Sequence, residues 1–95
     1  KPIAVTETTW SSQGFGGSID NQKLFVETAI SAFKSSLNDL EFHSFYGTHD
    51  FPKSYIEAGL ITGEVADWLS SLSFITNEGI PKEAYCTFVD ELRSF

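Results

Sequence analysis

Ninety-five residues are enough for one small domain, and a chain of this length buries roughly 60–65% of its unfolded surface. Thirteen acids against six bases give a net charge of −7, which argues against a protein that displaces counterions from nucleic-acid phosphate and against one that docks on an anionic membrane. One cysteine rules out a disulfide framework or a thiolate zinc site within one chain, and a content of 41% hydrophobic residues rules out a disordered one.

Residues 3–9 read as a strand, because Ile3, Val5, Thr6, Thr8 and Thr9 are β-branched. Ile3 and Val5 share a face on which Glu7 falls next, so the alternation breaks there. Trp10 opens a loop through Ser18 in which Gly14, Gly16 and Gly17 crowd four positions. Ser18 or Asp20 can cap a helix over 20–37, whose Val26, Ala29, Ile30, Phe33 and Leu37 recur on one face. Asn38-Asp39 is a stop, and 41–47 reads as a second strand with Phe42, Ser44 and Tyr46 on one side, His43 and Phe45 on the other. A short helical turn follows from Pro52 to Gly59. Thr62 then heads a helix over 63–73 with Ile61, Val65, Trp68, Leu69 and Leu72 as its apolar stripe. Residues 74–76 suit either a short strand or a loop. Asn77-Glu78-Gly79 is a turn, and Pro81 begins a last helix with Ala84, Tyr85, Phe88, Leu92 and Phe95 on one face. This order predicts an α+β fold: a single domain over 1–95, with a small sheet of two to three strands covered by about three helices. If the two strands pair in parallel, the crossover between them is right-handed.

Few residues suggest chemistry. The glycine loop stands between a strand and a helix, where a phosphate cradle belongs, but the sixth position from Gly14 is Ile19 and no Gly-Lys-Ser/Thr follows. His43 and His49 lack metal-ligand spacing, and His49-Asp50 are adjacent on an extended turn, where side chains diverge. Cys86 falls toward Glu83 and Asp90, which would raise a thiol's pKa, so a semi-buried packing role is expected of it. Composition is compatible with paired carboxylates for glycoside hydrolysis, as in any acidic chain, and no spacing singles out a pair. The expectation is no enzyme, no metal and no cofactor. No apolar run exceeds three residues and no signal-like segment or glycosylation sequon occurs, which with the lone thiol points to the cytoplasm.

The acids are unevenly spread: five against three bases over 1–47, eight against three over 48–95. Glu64 and Asp67 are spaced i, i+3 on one helix face; Glu83 and Asp90 lie two turns apart on another, with Glu91 beside them. Glu64, Asp67 and Glu83 fall near first turns, where the helix dipole favours anions, whereas Asp90 and Glu91 fall where it opposes them. Carboxylates arrayed on stiff helices could occupy the cationic channel of a DNA-handling enzyme; the plainer role of such charge is solubility.

Taken in order, Ile3-Ala4-Val5, the Trp10 loop with Gly14-Phe15-Gly16-Gly17, Ser18-Ile19-Asp20, Leu40-Glu41-Phe42-His43-Ser44-Phe45-Tyr46, Glu64-Val65-Ala66-Asp67 and Glu83-Ala84-Tyr85 form a pattern. The chain resembles the ArdA family of antirestriction proteins, as its N-terminal portion or a compact relative, with Ser18 standing where that family has tryptophan. The resemblance implies a DNA-mimic inhibitor of a type I restriction–modification complex in a bacterial host cell, without catalysis, cofactor or direct nucleic-acid binding, and with homodimerisation in the family's manner. It would bind through Glu57, Glu64, Asp67, Glu78, Glu83, Asp90 and Glu91, with Asp39, Glu41 and Asp50 in a second rank. Alternatives are an inhibitor of another nuclease or RNA-guided defence complex, a protein–protein module built on Trp10 and Phe15, and a small enzyme around His43 and His49.

Overall fold

The computed structural model describes residues 2–93. The elements run β1 (Ile3–Val5), α1 (Ile19–Ser35), β2 (Leu40–His43), α2 (Lys53–Ala58), α3 (Gly63–Leu69) and α4 (Glu83–Arg93). β1 and β2 form a two-stranded parallel sheet, with Ala4 opposite Phe42, Val5 opposite His43 and an irregularity between Ile3 and Ala4. The α+β class expected from the sequence is therefore the class observed.

Local chemistry sets the ends of the helices. Ser18 caps α1: its Oγ accepts the Asn21 N–H at 3.0 Å, and Asp20 and Lys34 suit the two ends of the dipole. The helix stops before the predicted residue 37, because the Ser36 N–H turns back to the Phe33 carbonyl and the Asp39 N–H to that of Ser36. α3 ends at Leu69, four residues before the expected 73. The Ser70 and Ser71 hydroxyls both donate to the Asp67 carbonyl, at 3.3 and 2.7 Å, and so compete with further helical turns. Thr62 stands at the N-cap of α3, but its side chain makes no capping bond. Nor is the buried face of α3 the expected one: Val65 is 42% exposed and Ala66 is fully buried. Residues 74–76 form no strand; Ile75 makes single bridges to His49 and Pro81. Cys86 is exposed rather than semi-buried, and Phe95 lies outside the described residues.

α1 packs chiefly on α4. Between them Val26, Ile30, Phe74 and Ala84 form the core, with Phe45 and Phe88 against it. Phe45, Phe74 and Phe88 close a ring triangle with centroids 5.2–5.4 Å apart. His43 lies on Phe33 of α1, centroids 3.6 Å apart, so this side of the sheet faces the helices. Phe42 alternates to the opposite side, where it is 50% exposed and its register partner Ala4 is exposed too. One face of the parallel sheet is thus covered and the other is open. The overall dimensions agree: the radius of gyration is 14.3 Å and the accessible surface 6075 Å², against about 12 Å and about 5,400 Å² by scaling for a domain of this size.

The glycine loop rests against α3. Gly14 has φ +71, and a Cβ there would meet the Glu64 carbonyl at 2.8 Å and the Trp68 nitrogen at 3.0 Å. Gly14→Ala should therefore destabilise the chain by about 1–3 kcal/mol, seen as a lowered urea midpoint.

Candidate functional site at the carboxyl ends of the strands

Parallel pairing brings the carboxyl ends of β1 and β2 to one edge. Backbone bonds continue beyond the strands: the Ser44 N–H donates to Val5 O and the Tyr46 N–H to Thr8 O, both at 2.9 Å. Glu7 lies between those two tethers and is exposed. Its backbone is held on either side, and because β1 ends at Val5, short of the expected residue 9, the acid that breaks the alternation lies beyond the strand in solvent. Thr8 and Thr9 extend the tether. The Thr8 hydroxyl meets His43 Nε2 at 3.0 Å, and the Thr9 hydroxyl donates to Leu72 O at 2.9 Å.

The loop that follows is held by buried polar groups. Ser71 clasps it, its carbonyl accepting the Ser12 N–H at 3.0 Å and its hydroxyl oxygen the Gln13 N–H at 3.1 Å. Gln22 of α1, 1% exposed, donates its Nε2 to Trp10 O at 2.9 Å and Ser73 O at 3.2 Å. Beneath lies an ion pair, Lys82 Nζ to Asp50 Oδ2 at 2.7 Å, with side chains only 4% and 8% exposed. Every polar atom of that pair is engaged: Lys82 also donates to Ser12 Oγ and Ser71 O, and Asp50 Oδ1 accepts the Ser73 N–H. Full satisfaction is what makes a buried pair tolerable. At the loop tip Phe15 has φ 48, a conformation unusual for a side chain of its size, and its N–H is held by Glu64 Oε1 at 2.8 Å. Phe15 meets Trp68 edge-on at 6.0 Å, and Trp10 stacks on Phe25 at 5.5 Å.

No family model and no curated protein matches the sequence. Among solved structures the chain is similar to GH5_18, a glycoside hydrolase from Streptomyces cattleya determined in complex with GlcNAc, with a TM-score of 0.72 and 15% sequence identity. The match covers 97% of this chain and 20% of that one. This chain thus spans about a fifth of the length of its structural neighbour, and the likeness is one of fold.

Four of the ten acids expected to form a binding surface carry cation partners. Asp50 is buried against Lys82; Asp67 pairs with Lys53 at 2.8 Å, Glu91 with Lys34 at 3.4 Å and Asp90 with Arg93 at 3.8 Å. The Asp67 hydrogen bond and charge raise the pKa of Lys53. Glu64 is occupied by the Phe15 N–H. Asp39, Glu41, Glu57, Glu78 and Glu83 are exposed and form no ion pair among the described residues. Sequence reasoning gave no site role to Glu7, Gln22, Ser71 or Lys82. Glu7 did leave a signal, as the acid that interrupts a strand's apolar face, and so did Gln22, a polar residue four positions before Val26 on the buried stripe. Lys82 and Ser71 left none. Among the described residues no cluster of three or more His, Cys, Asp or Glu could hold a metal ion, and no helix is long and apolar enough to cross a membrane.

His43 is a packing residue that reports on pH. Burial between Phe33 and Phe45 pushes its pKa below the ordinary 6.5. The unfolded chain therefore binds a proton more readily than the folded one. The stability this histidine contributes is complete above about pH 6.5 and is lost as the pH falls through 6.5 toward the lowered folded value. Urea midpoints should drop between about pH 7.5 and about pH 5.5, and His43→Phe should flatten that dependence. His49, by contrast, is exposed, with Nδ1 3.1 Å from the Thr48 hydroxyl.

Proposed function

We propose that this chain forms part of a glycoside-hydrolase site in which Glu7 is one of the two carboxylates that act on the glycosidic bond. The observation that carries the reading is the position of Glu7: exposed, tethered on both sides, at the carboxyl end of a strand in a parallel β–α–β unit. In parallel α/β folds the catalytic groups come from the ends of several strands and the loops after them. Parallel sheets are covered on both faces and seldom stop at two strands. The open Ala4–Phe42 face and the exposed Ile3, Leu37 and Leu92 therefore fit a sheet that continues through further strands and helices of a larger polypeptide. The fold similarity to a fifth of a glycoside hydrolase supports the same reading.

Glycoside hydrolysis takes a pair of carboxyl groups and a water. One group protonates the leaving oxygen, while the other attacks the sugar or activates the water, according to their separation. Glu7 makes no ion pair among the described residues, so its oxygens are open to a substrate. The second carboxylate would stand at the end of another strand. The test is hydrolysis of aryl glycosides of glucose and GlcNAc by the intact polypeptide that carries this segment, with and without Glu7→Gln. Retention of activity in the variant overturns the assignment.

The DNA-mimic reading draws on one observation, the exposed Glu57, Glu78 and Glu83 in the acid-rich half, which form no ion pair within 4 Å among the described residues, and would set the protein in the cytoplasm of a bacterial host. It competes poorly with the Glu7 reading because neighbouring cations interrupt the array. Its own test is inhibition of a type I restriction–modification complex. Glu78→Lys with Glu83→Lys, whose side chains make no hydrogen bond or ion pair among the described residues, should abolish inhibition, and rising salt should weaken it.

A further inference from the structure

A recess of about 360 Å³ with a mixed polar and apolar lining opens beside the Lys82–Asp50 pair. It is shared by Ser12 and Gln13 of the loop after β1, Asp50 and Phe51 of the loop after β2, and Thr76 and Asn77 of the turn before α4. That volume lies within the range of small-ligand sites. Three properties restrict what would fill it. The first is charge: Asp50 neutralises Lys82 in the floor and Asp67 neutralises Lys53 at the rim, which leaves Glu78 as the uncompensated charge of the lining and disfavours an anion. The second is hydrogen bonding. The side-chain amides of Gln13 and Asn77 make no hydrogen bond among the described residues, and each offers a donor and an acceptor at once. The third is an aromatic wall, Phe51, which is 49% exposed and braced by Tyr55 stacked at 5.8 Å. The floor is rigid because its ion pair is fully bonded, so the recess is preorganised rather than collapsible.

We propose that this recess binds a neutral sugar unit. Pyranose hydroxyls both donate and accept, matching the two amides, and the ring's apolar face suits Phe51. Ser12 follows Glu7 by five residues, which limits their Cα separation to about 18 Å, so the recess is an accessory site on the same end of the fold. It stands on its own geometry and needs no catalysis by Glu7.

The test is NMR titration of the intact polypeptide that carries this segment, with Glu7→Gln to prevent turnover. The neutral probes are glucose, GlcNAc and their linear trimers; glucuronate and glucosamine are the charged ones. Neutral probes should give saturable shifts at the Gln13 and Asn77 amides and the Phe51 ring. Phe51→Ala should weaken binding about tenfold, a difference of about 1.4 kcal/mol, and Asn77→Ala, on an exposed turn, should weaken it severalfold in a fold that is easily checked. Glu78→Lys should turn the preference toward glucuronate. Absent or scattered shifts, a parent chain that prefers a charged probe, or an unaltered affinity in both folded Phe51→Ala and Asn77→Ala would each overturn the proposal. Loss of hydrolysis on Glu7→Gln with these shifts intact leaves both readings standing, and shifts without hydrolysis in the parent overturn the Glu7 assignment alone.

Discussion

Lys82→Met lowers stability by about 3–5 kcal/mol, because it leaves the Asp50 carboxylate buried with no cation and only the Ser73 N–H to receive it. The lost bonds to Ser12 Oγ and Ser71 O release the loop after β1 at the same time. A chain of 95 residues has a total stability of roughly 5–14 kcal/mol, so this one substitution removes a large share. With a urea slope of about 1–3 kcal/mol/M the midpoint falls by more than about 1 M. Removing both charges, Lys82→Met with Asp50→Leu, should cost less than the single change, since no orphaned charge remains. A single-variant cost below about 1 kcal/mol would show that the pair does not hold the loop. Such a result would also weaken the proposed sugar recess, whose rigid floor is this pair.

Glu7→Gln should cut turnover of aryl glycosides by about 10³-fold or more, equivalent to about 4 kcal/mol of transition-state stabilisation. The amide keeps the shape of the side chain but can neither take up a proton nor form a stable bond to the sugar. The loss should therefore fall on kcat, with KM changed only a few-fold. Thermal and urea stability should stay within about 0.5 kcal/mol of the parent, because Glu7 is exposed and makes no ion pair among the described residues. That combination separates a chemical role from damage to the fold. A tenfold or smaller loss in kcat would remove Glu7 from the reaction.

The two residues with the largest expected effects differed in how readily the sequence revealed them. Glu7 was visible as an irregularity, an acid on the apolar face of a β-branched strand, but its meaning depended on which edge of the sheet it reached. Lys82 was only one of three bases among the eight acids of residues 48–95, yet it is one of the most buried side chains of the molecule and neutralises one of the acids assigned to that surface. The expected carboxylate array was built from helix wheels. Those describe where side chains leave a helix, and they are silent on which cations other elements bring alongside: Lys53 of α2 reaches Asp67 of α3, and Lys34 of α1 reaches Glu91 of α4.

By itself the sequence determined the α+β class, a helix cap at Ser18 or Asp20, the Val26–Ile30 stripe, and the order of both strands and all four helical segments, though it carried the strands to residues 9 and 47 where they end at Val5 and His43. These follow from periodicity, propensity and capping, all of which act over a few neighbouring residues. Only the tertiary structure decided that β1 runs parallel to β2 with one face of the pair open, that α3 turns Ala66 rather than Val65 inward, and that Asp50 lies beneath the loop beside Lys82. Each of those depends on contacts between segments far apart in the chain, where chain closure and the desolvation of charge outweigh local preference.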